Sequence, residues 1–229
     1  MRTAFDLSQS NDQHGAASPT DRPIAPRERV LQIACGLFAE AGFHGTHLRE
    51  VCRRAGANVA EVYYYFQSKE RLYEAVIMEA GRRLLAQNGN LQASRRLPPE
   101  ERLLKLVESL LQRLSAEGAW IAKVLAREWV DPTCGAHNYA ASGLERDFVL
   151  LQAVMRDLLG AKADTEAIRL YALSLIGECV FYCLAGENLQ HPLTQLAVGL
   201  PSLPRLARFL TQRSLRILEP ERTVLVRDR

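Results

Sequence analysis

The stretch that most constrains this chain runs from Pro26 to Tyr73, where apolar residues recur at helical spacing and glycines cut the pattern into short pieces. Val30, Ile33, Ala34, Leu37, Phe38 and Ala41 fall at the i, i+3, i+4 steps that gather side chains on one face of an α-helix. Pro26 suits the first turn and Gly42 the exit. After a short Gly-Phe-His-Gly link, Thr46 is placed to cap a second helix that turns Leu48, Val51, Cys52 and Ala55 inward. Gly56 then permits a sharp bend. Asn58 is placed to cap a third, very short helix with Val59, Val62 and Phe66 on its inner side, and Ser68 a fourth that carries on through Leu72, Ala75 and Val76. Two short helices joined by a glycine turn, braced by a helix on either side, form a helix-turn-helix pattern.

The remainder reads as helix too. Residues 1–25 are polar, small and proline-dotted, and bury too little apolar surface to offset ordering, which predicts a disordered arm. Beyond residue 90 the breaks are weaker. Pro98-Pro99 opens a helix through about Glu117, Gly118 precedes another to about Val130, and Asp131-Pro132 ends that one. A further helix runs from about Leu144 to Gly160, and Asp164 or Thr165 caps a long one reaching about Gly186. A looser segment with Pro192, Gly199, Pro201 and Pro204 leads to a last helix ending near Leu218. Strand-like alternation occurs only at Thr223–Val226. The fold class is all-α: an arm (1–25), a helix-turn-helix domain (26–73), a larger helical domain (74–219) and a tail (220–229).

Composition sets limits without naming a function. With 229 residues and 48% of them apolar, the chain can bury a sizeable core, and a net charge of +3 makes no case for nucleic acid. Between Arg27 and Arg71 the bases Arg27, Arg29, Arg49, Arg53, Arg54, Lys69 and Arg71 barely outweigh Glu28, Glu40, Glu50, Glu61 and Glu70. The five cysteines, Cys35, Cys52, Cys134, Cys179 and Cys183, lack metal-binding spacing and read as small apolar side chains in a reducing cytoplasm. No apolar segment follows Arg2 as in a secretion signal, and no apolar run reads as long enough to span a bilayer. His14, His44, His47, His137 and His191 are scattered, with no nucleophile, acid–base or metal constellation, which argues against an enzyme and against a metal or other cofactor.

The helix ending Phe-Ala-Glu-Ala-Gly-Phe, Thr46 at the next opening, Ala55-Gly56 at the turn, Val62-Tyr63-Tyr64-Tyr65-Phe66, then Ser68-Lys69-Glu70 and Leu72 together resemble the DNA-binding domain of the TetR family of transcriptional regulators. The resemblance implies a recognition helix in the major groove, with Tyr63 and Lys69 bonding phosphates. The helical step leaves Ala60, Glu61, Tyr63 and Tyr64 outward, so base reading falls to Ala60, Glu61, Tyr64 and Arg49. The expected DNA interface is Thr46, His47, Arg49, Asn58, Val59, Ala60, Glu61, Tyr63, Tyr64 and Lys69. Glu61 either accepts from a cytosine or adds specificity by repelling phosphate. Arg53 and Arg54 read as a solvated face.

The C-terminal two-thirds is similar to the CecR-like branch of that family, through Arg127-Glu128 with Pro132-Thr133, Phe148 with Leu150-Leu151, Leu158-Leu159-Gly160 and the run from Ala172 to Tyr182. The resemblance implies a homodimer made by residues 164–186 and 202–218. The first of these is apolar nearly all round, as for a helix shared between core and partner, although one domain could also enclose it. Trp120, Val124, Arg127, Trp129, Phe148, Gln152, Met155, Tyr171, Glu178 and Tyr182 supply apolar walls with a few polar groups, suited to an unidentified small-molecule effector or to an ordinary core. The function implied is a ligand-responsive repressor on a palindromic operator. The alternatives are the same fold governed by protein partners and, remotely, a helical enzyme.

Overall fold

A computed structural model describes residues 25–86, 96–133, 137–160, 163–187 and 201–227, and the predicted arm falls outside them. The described residues form eight helices and no strand: α1 (Pro26–Gly45), α2 (Leu48–Ala55), α3 (Val59–Phe66), α4 (Lys69–Ala86), α5 (Pro99–Val130), α6 (His137–Leu159), α7 (Thr165–Glu187) and α8 (Leu203–Arg227). The all-α expectation holds. α5 is the central post, packing against α1, α4, α6, α7 and α8, while α4 joins the N-terminal helices to α6.

Local chemistry explains the first three helices. Val30, Ala34 and Phe38 sit one turn apart on α1 and are fully enclosed; burying a side chain the size of Val30 or Phe38 contributes about 1.5–3 kcal/mol. Gly42 interrupts α1 at φ 71°, a conformation that glycine adopts without strain. Here one expectation is corrected. Thr46 does not cap α2, whose N-cap is His47 without a side-chain bond. Thr46 is buried, and its hydroxyl points at the carbonyls of Gly42 (2.8 Å) and Leu37 (3.2 Å), tying off the end of α1 instead. Gly56 ends α2 at φ 59°, and Arg29 Nε donates to the Ala55 carbonyl at 2.7 Å, fastening that end to α1.

Asn58 caps α3 as expected, its Oδ1 accepting from the Glu61 N–H at 2.7 Å, and Ser68 Oγ accepts from the Arg71 N–H. Val62 and Phe66 are buried, whereas Val59 is 43% exposed and not inward as predicted. It is the first helical residue, and so lies off the buried stripe.

The larger domain departs further from the reading. The predicted break at Gly118 is not an end, because α5 is one element whose backbone turns left-handed at Ala119 (φ 53°). α6 begins at His137, earlier than Leu144. The tail reading at Thr223–Val226 is also corrected: α8 continues through Pro220 to Arg227 and includes it. Asp164 caps α7 by accepting from the N–H groups of Glu166 and Ala167. The expectation that no apolar run reaches membrane-spanning length needs correction as well. Thr165–Ala185 of α7, 21 residues with a mean hydropathy of 1.6, passes that test by length and composition. Cys35, Cys52, Cys179 and Cys183 are buried thiols, and burial pushes the Cys179 thiol well above its ordinary range.

Candidate nucleic-acid interface

α3 has one buried side and one free side. Val62 and Phe66 anchor it, and the Arg27 guanidinium lies 5.0 Å over the Phe66 ring, so the start of α1 covers the inner edge of α3. On the other side Ala60, Tyr63 and Tyr64 are exposed, Tyr64 to 81%, and Glu61 is half-buried. Tyr64 and Tyr65 meet edge-on at 5.3 Å. Such an arrangement keeps a short helix rigid while offering a row of side chains to a groove one helix wide. Gln67 ends α3 at φ 66°, and its N–H bonds the Tyr63 carbonyl at 2.8 Å, which turns the chain sharply into α4.

α2 presents His47 and Arg49, both exposed, beside this row. Its cationic end is already neutralised in part. Glu50 accepts from Arg53 Nε (2.8 Å) and Nη2 (2.7 Å) and from Arg54 Nε (2.7 Å). Those bonds, Arg53 first and Arg54 next, hold the Glu50 carboxyl down at about 2. Arg53 and Arg54 are therefore engaged with their own helix, in keeping with their reading as a solvated face.

Of the residues singled out from sequence, His47, Arg49, Asn58, Val59, Ala60, Tyr63 and Tyr64 are exposed around α2 and α3. Thr46 is the exception, since its hydroxyl faces the core. Lys69 is half-buried, with its ammonium 4.6 Å over the Phe43 ring. The sequence showed Phe43 only as the close of the Phe-Ala-Glu-Ala-Gly-Phe motif; its partnership with a lysine distant in sequence leaves no periodic signal. Arg27 and Arg29 escaped for the same reason, since their partners lie on other helices.

The residues assigned to an effector pocket fall in separate surroundings. Val124 and Met155 are enclosed in the core, and Trp120 is buried with the Arg83 guanidinium 5.6 Å over its ring. Trp129, expected in the wall, is exposed at the end of α5. Glu178 pairs with Arg213 of α8, and Gln152, Tyr171 and Tyr182 are half-buried. Arg127 lines a cleft of about 390 Å³ where α1, α4 and α5 meet, together with Phe43, His44, Tyr73 and Thr133. Phe148 lines another, of about 560 Å³, at the start of α7.

A helix-turn-helix with a free recognition face on a larger helical domain is the architecture of a DNA-binding regulator, and comparison with known proteins identifies its kind. Residues 30–76 match the model for bacterial regulatory proteins of the tetR family, and residues 99–219 match the C-terminal domain of the HTH-type transcriptional dual regulator CecR. The chain belongs to the TetR family of transcriptional regulators, in the branch with the CecR C-terminal domain. It is similar to the dual regulator CecR of Shigella flexneri, at 26% identity over 178 residues, 71% of this chain and 78% of that protein. A shorter match, 40% identical over 55 residues, links it to RutR of Escherichia coli K12 and spans 24% of this chain and 26% of that one. Among solved structures, a TetR-like regulator from Rhodococcus sp. RHA1 shares the fold with a TM-score of 0.64 at 20% identity, covering 86% of this chain and 98% of that chain. FadR of Bacillus subtilis, in complex with stearoyl-CoA, shares it with a TM-score of 0.61 at 14% identity, over 82% and 96% of the two chains.

Proposed function

We propose that this regulator is a cytoplasmic repressor that binds a palindromic operator as a homodimer and releases it when a small molecule occupies the C-terminal domain. The observation that carries the reading is the outer side of α3, where Ala60, Tyr63 and Tyr64 stand free while Val62 and Phe66 are clamped beneath. In this reading Tyr63 and Lys69 bond phosphates and set the register, and Ala60, Glu61, Tyr64 and Arg49 meet base edges. Two such helices one duplex turn apart read a palindrome.

The dimer contact is proposed on residues 164–186 and 202–218. Leu170, Leu173 and Phe181 of α7 and Phe209 and Ile217 of α8 are all exposed in the single chain. Leu170, Leu173, Gly177 and Phe181 follow a helical stripe, and such a patch on a monomer marks a protein contact. A second subunit seated there also accounts for the apolar character of α7 without a membrane. The effector is proposed to bias the dimer between a spacing that fits DNA and one that does not. Since FadR of the same fold was solved with stearoyl-CoA, a long-chain acyl-CoA is the first probe to try. The burial of Val124 and Met155 in packed core favours a second reading, control by a protein partner.

Selection of bound duplexes from a random pool tests the main reading, with a palindromic consensus expected. Lys69→Ala should weaken all sequences alike, whereas Glu61→Ala should relax preference at one position per half-site. A pool that returns no enriched duplex at low salt overturns it. Thermal shift against acyl-CoAs and a metabolite set separates the two modes of control, because a ligand bound to the native state raises its melting point.

A further inference from the structure

The seam between the two domains holds groups that contact with DNA leaves unused. Tyr73 of α4 is buried, and its hydroxyl donates to Glu128 Oε1 at 2.6 Å. Glu128, in the last turn of α5, is buried too, and Thr133 donates to it through both hydroxyl and backbone N–H. Burial, then the neighbouring carboxylate, pushes the Tyr73 phenol well above its ordinary range, so it remains a donor at any physiological pH. The Tyr73 ring meets Phe38 edge-on at 4.9 Å and Phe43 at 5.3 Å. Phe43 in turn carries the Lys69 ammonium at 4.6 Å. Contacts therefore run without a gap from α5 to the lysine at the DNA-facing start of α4. Beside them Arg127 donates to the carbonyls of Ala39 (3.3 Å) and Glu40 (2.7 Å) on α1. Two adjacent residues of α5 thus grip both helices that hold the aromatic cluster.

We propose that Phe43 and Tyr73 are positioning residues for DNA binding. The Glu128–Tyr73 hydrogen bond seats the Phe43 ring, and that ring holds the Lys69 ammonium ready for a phosphate. The state of the last turn of α5 is thereby felt at the duplex. The inference rests on the assignment of Lys69 to a phosphate. Its physical basis is entropic as well as electrostatic: a free lysine gives up rotamer freedom on binding, and a ring face that already holds the ammonium removes part of that cost. The cleft of about 390 Å³ bordered by Phe43, Tyr73, Arg127 and Thr133 opens directly on these contacts and leaves them room to shift.

The test is a salt titration of binding to the duplex recovered by selection, with wild type, Lys69→Ala, Phe43→Leu, Phe43→Tyr, Tyr73→Phe and the pairs with Lys69→Ala. Lys69→Ala should lower affinity and flatten the slope of log K against log salt by about one per half-site. Phe43→Leu should cost about two- to fivefold per half-site, the range a surface cation–π contact carries, and Phe43→Tyr should restore it. In the Lys69→Ala background neither Phe43→Leu nor Tyr73→Phe should cost anything further. Tyr73→Phe keeps the ring and loses only the bond to Glu128, so a milder loss is expected and a folding failure at Phe43 leaves the test standing. Additive losses in the double variants, or a Phe43→Leu protein that binds like wild type, overturn the proposal while sparing Lys69. If Lys69→Ala itself leaves affinity and slope unchanged, the phosphate assignment falls and the positioning role of Phe43 and Tyr73 with it.

Discussion

The paired arginines of the helix-turn-helix and the buried Arg113 of the C-terminal domain work in opposite ways. In the helix-turn-helix, arginines stay near water: Arg53 and Arg54, both exposed, share Glu50, and Arg29 reaches the end of α2. In the C-terminal domain Arg113 is 1% exposed and grips Asp147 with two bonds, at 2.6 and 3.0 Å, while donating to the Leu84 carbonyl at the end of α4 at 2.7 Å. The first arrangement trims a fold already dictated by apolar stripes and glycine stops. The second ties three long helices at one buried point, where loss of either partner leaves the other's charge unpaired in the core.

That contrast breaks if the buried pair proves dispensable. Asp147→Ala strands the Arg113 guanidinium in the core and should cost about 3–5 kcal/mol in urea unfolding, the range for removing one partner of a buried pair. Arg113→Met combined with Asp147→Leu should recover most of the loss, since the apolar replacement carries no desolvation penalty. A single variant that loses less than about 1 kcal/mol would place Arg113 in the same class as Arg53.

The same contrast explains what could be read in advance. Asn58, Gly56 and Ser68 act within a few residues of themselves, so the turn and the ends of α3 and α4 were legible. The pairing of Arg113 with Asp147, like that of Tyr73 with Glu128, spans helices far apart in the chain and leaves no periodic trace. Arg113 resembles any solvated position in a charged helix, whereas Gly118 did mark the left-handed turn at the next residue, Ala119, although α5 runs on through it. Thr46 failed at shorter range: a threonine before a helix reads as its cap, but the break at Gly42 swings it back beneath α1.

Two substitutions sharpen the reading of the N-terminal half. Thr46→Val keeps the shape but removes the hydroxyl from two buried carbonyls, and should cost about 1–3 kcal/mol in the same unfolding assay. Asn58→Ala removes a cap on an exposed helix end and should cost about 1 kcal/mol. The order matters more than the values. If Asn58→Ala were the more damaging, the tie from the Thr46 hydroxyl to Leu37 and Gly42 would carry little.

The smallest effect belongs to Glu50, and it tests the exposed side of the comparison. Arg53 and then Arg54 lower its carboxyl from the ordinary 4.5 to about 2. Because the folded value lies below the unfolded one, any stabilisation from this cluster is complete above about pH 4.5 and fades as pH falls toward 2. Carboxyl carbon shifts followed by NMR should place the Glu50 midpoint near 2 at low salt, climbing as salt screens the two guanidinium groups. Glu50→Gln should leave the unfolding midpoint at neutral pH nearly unmoved, since exposed pairs contribute little. It should, however, free Arg53 and Arg54 and steepen the salt dependence of DNA binding. A steeper slope without a stability change would show that Glu50 acts on the charge offered to the duplex rather than on the fold. An unaltered slope would leave both arginines out of reach of DNA.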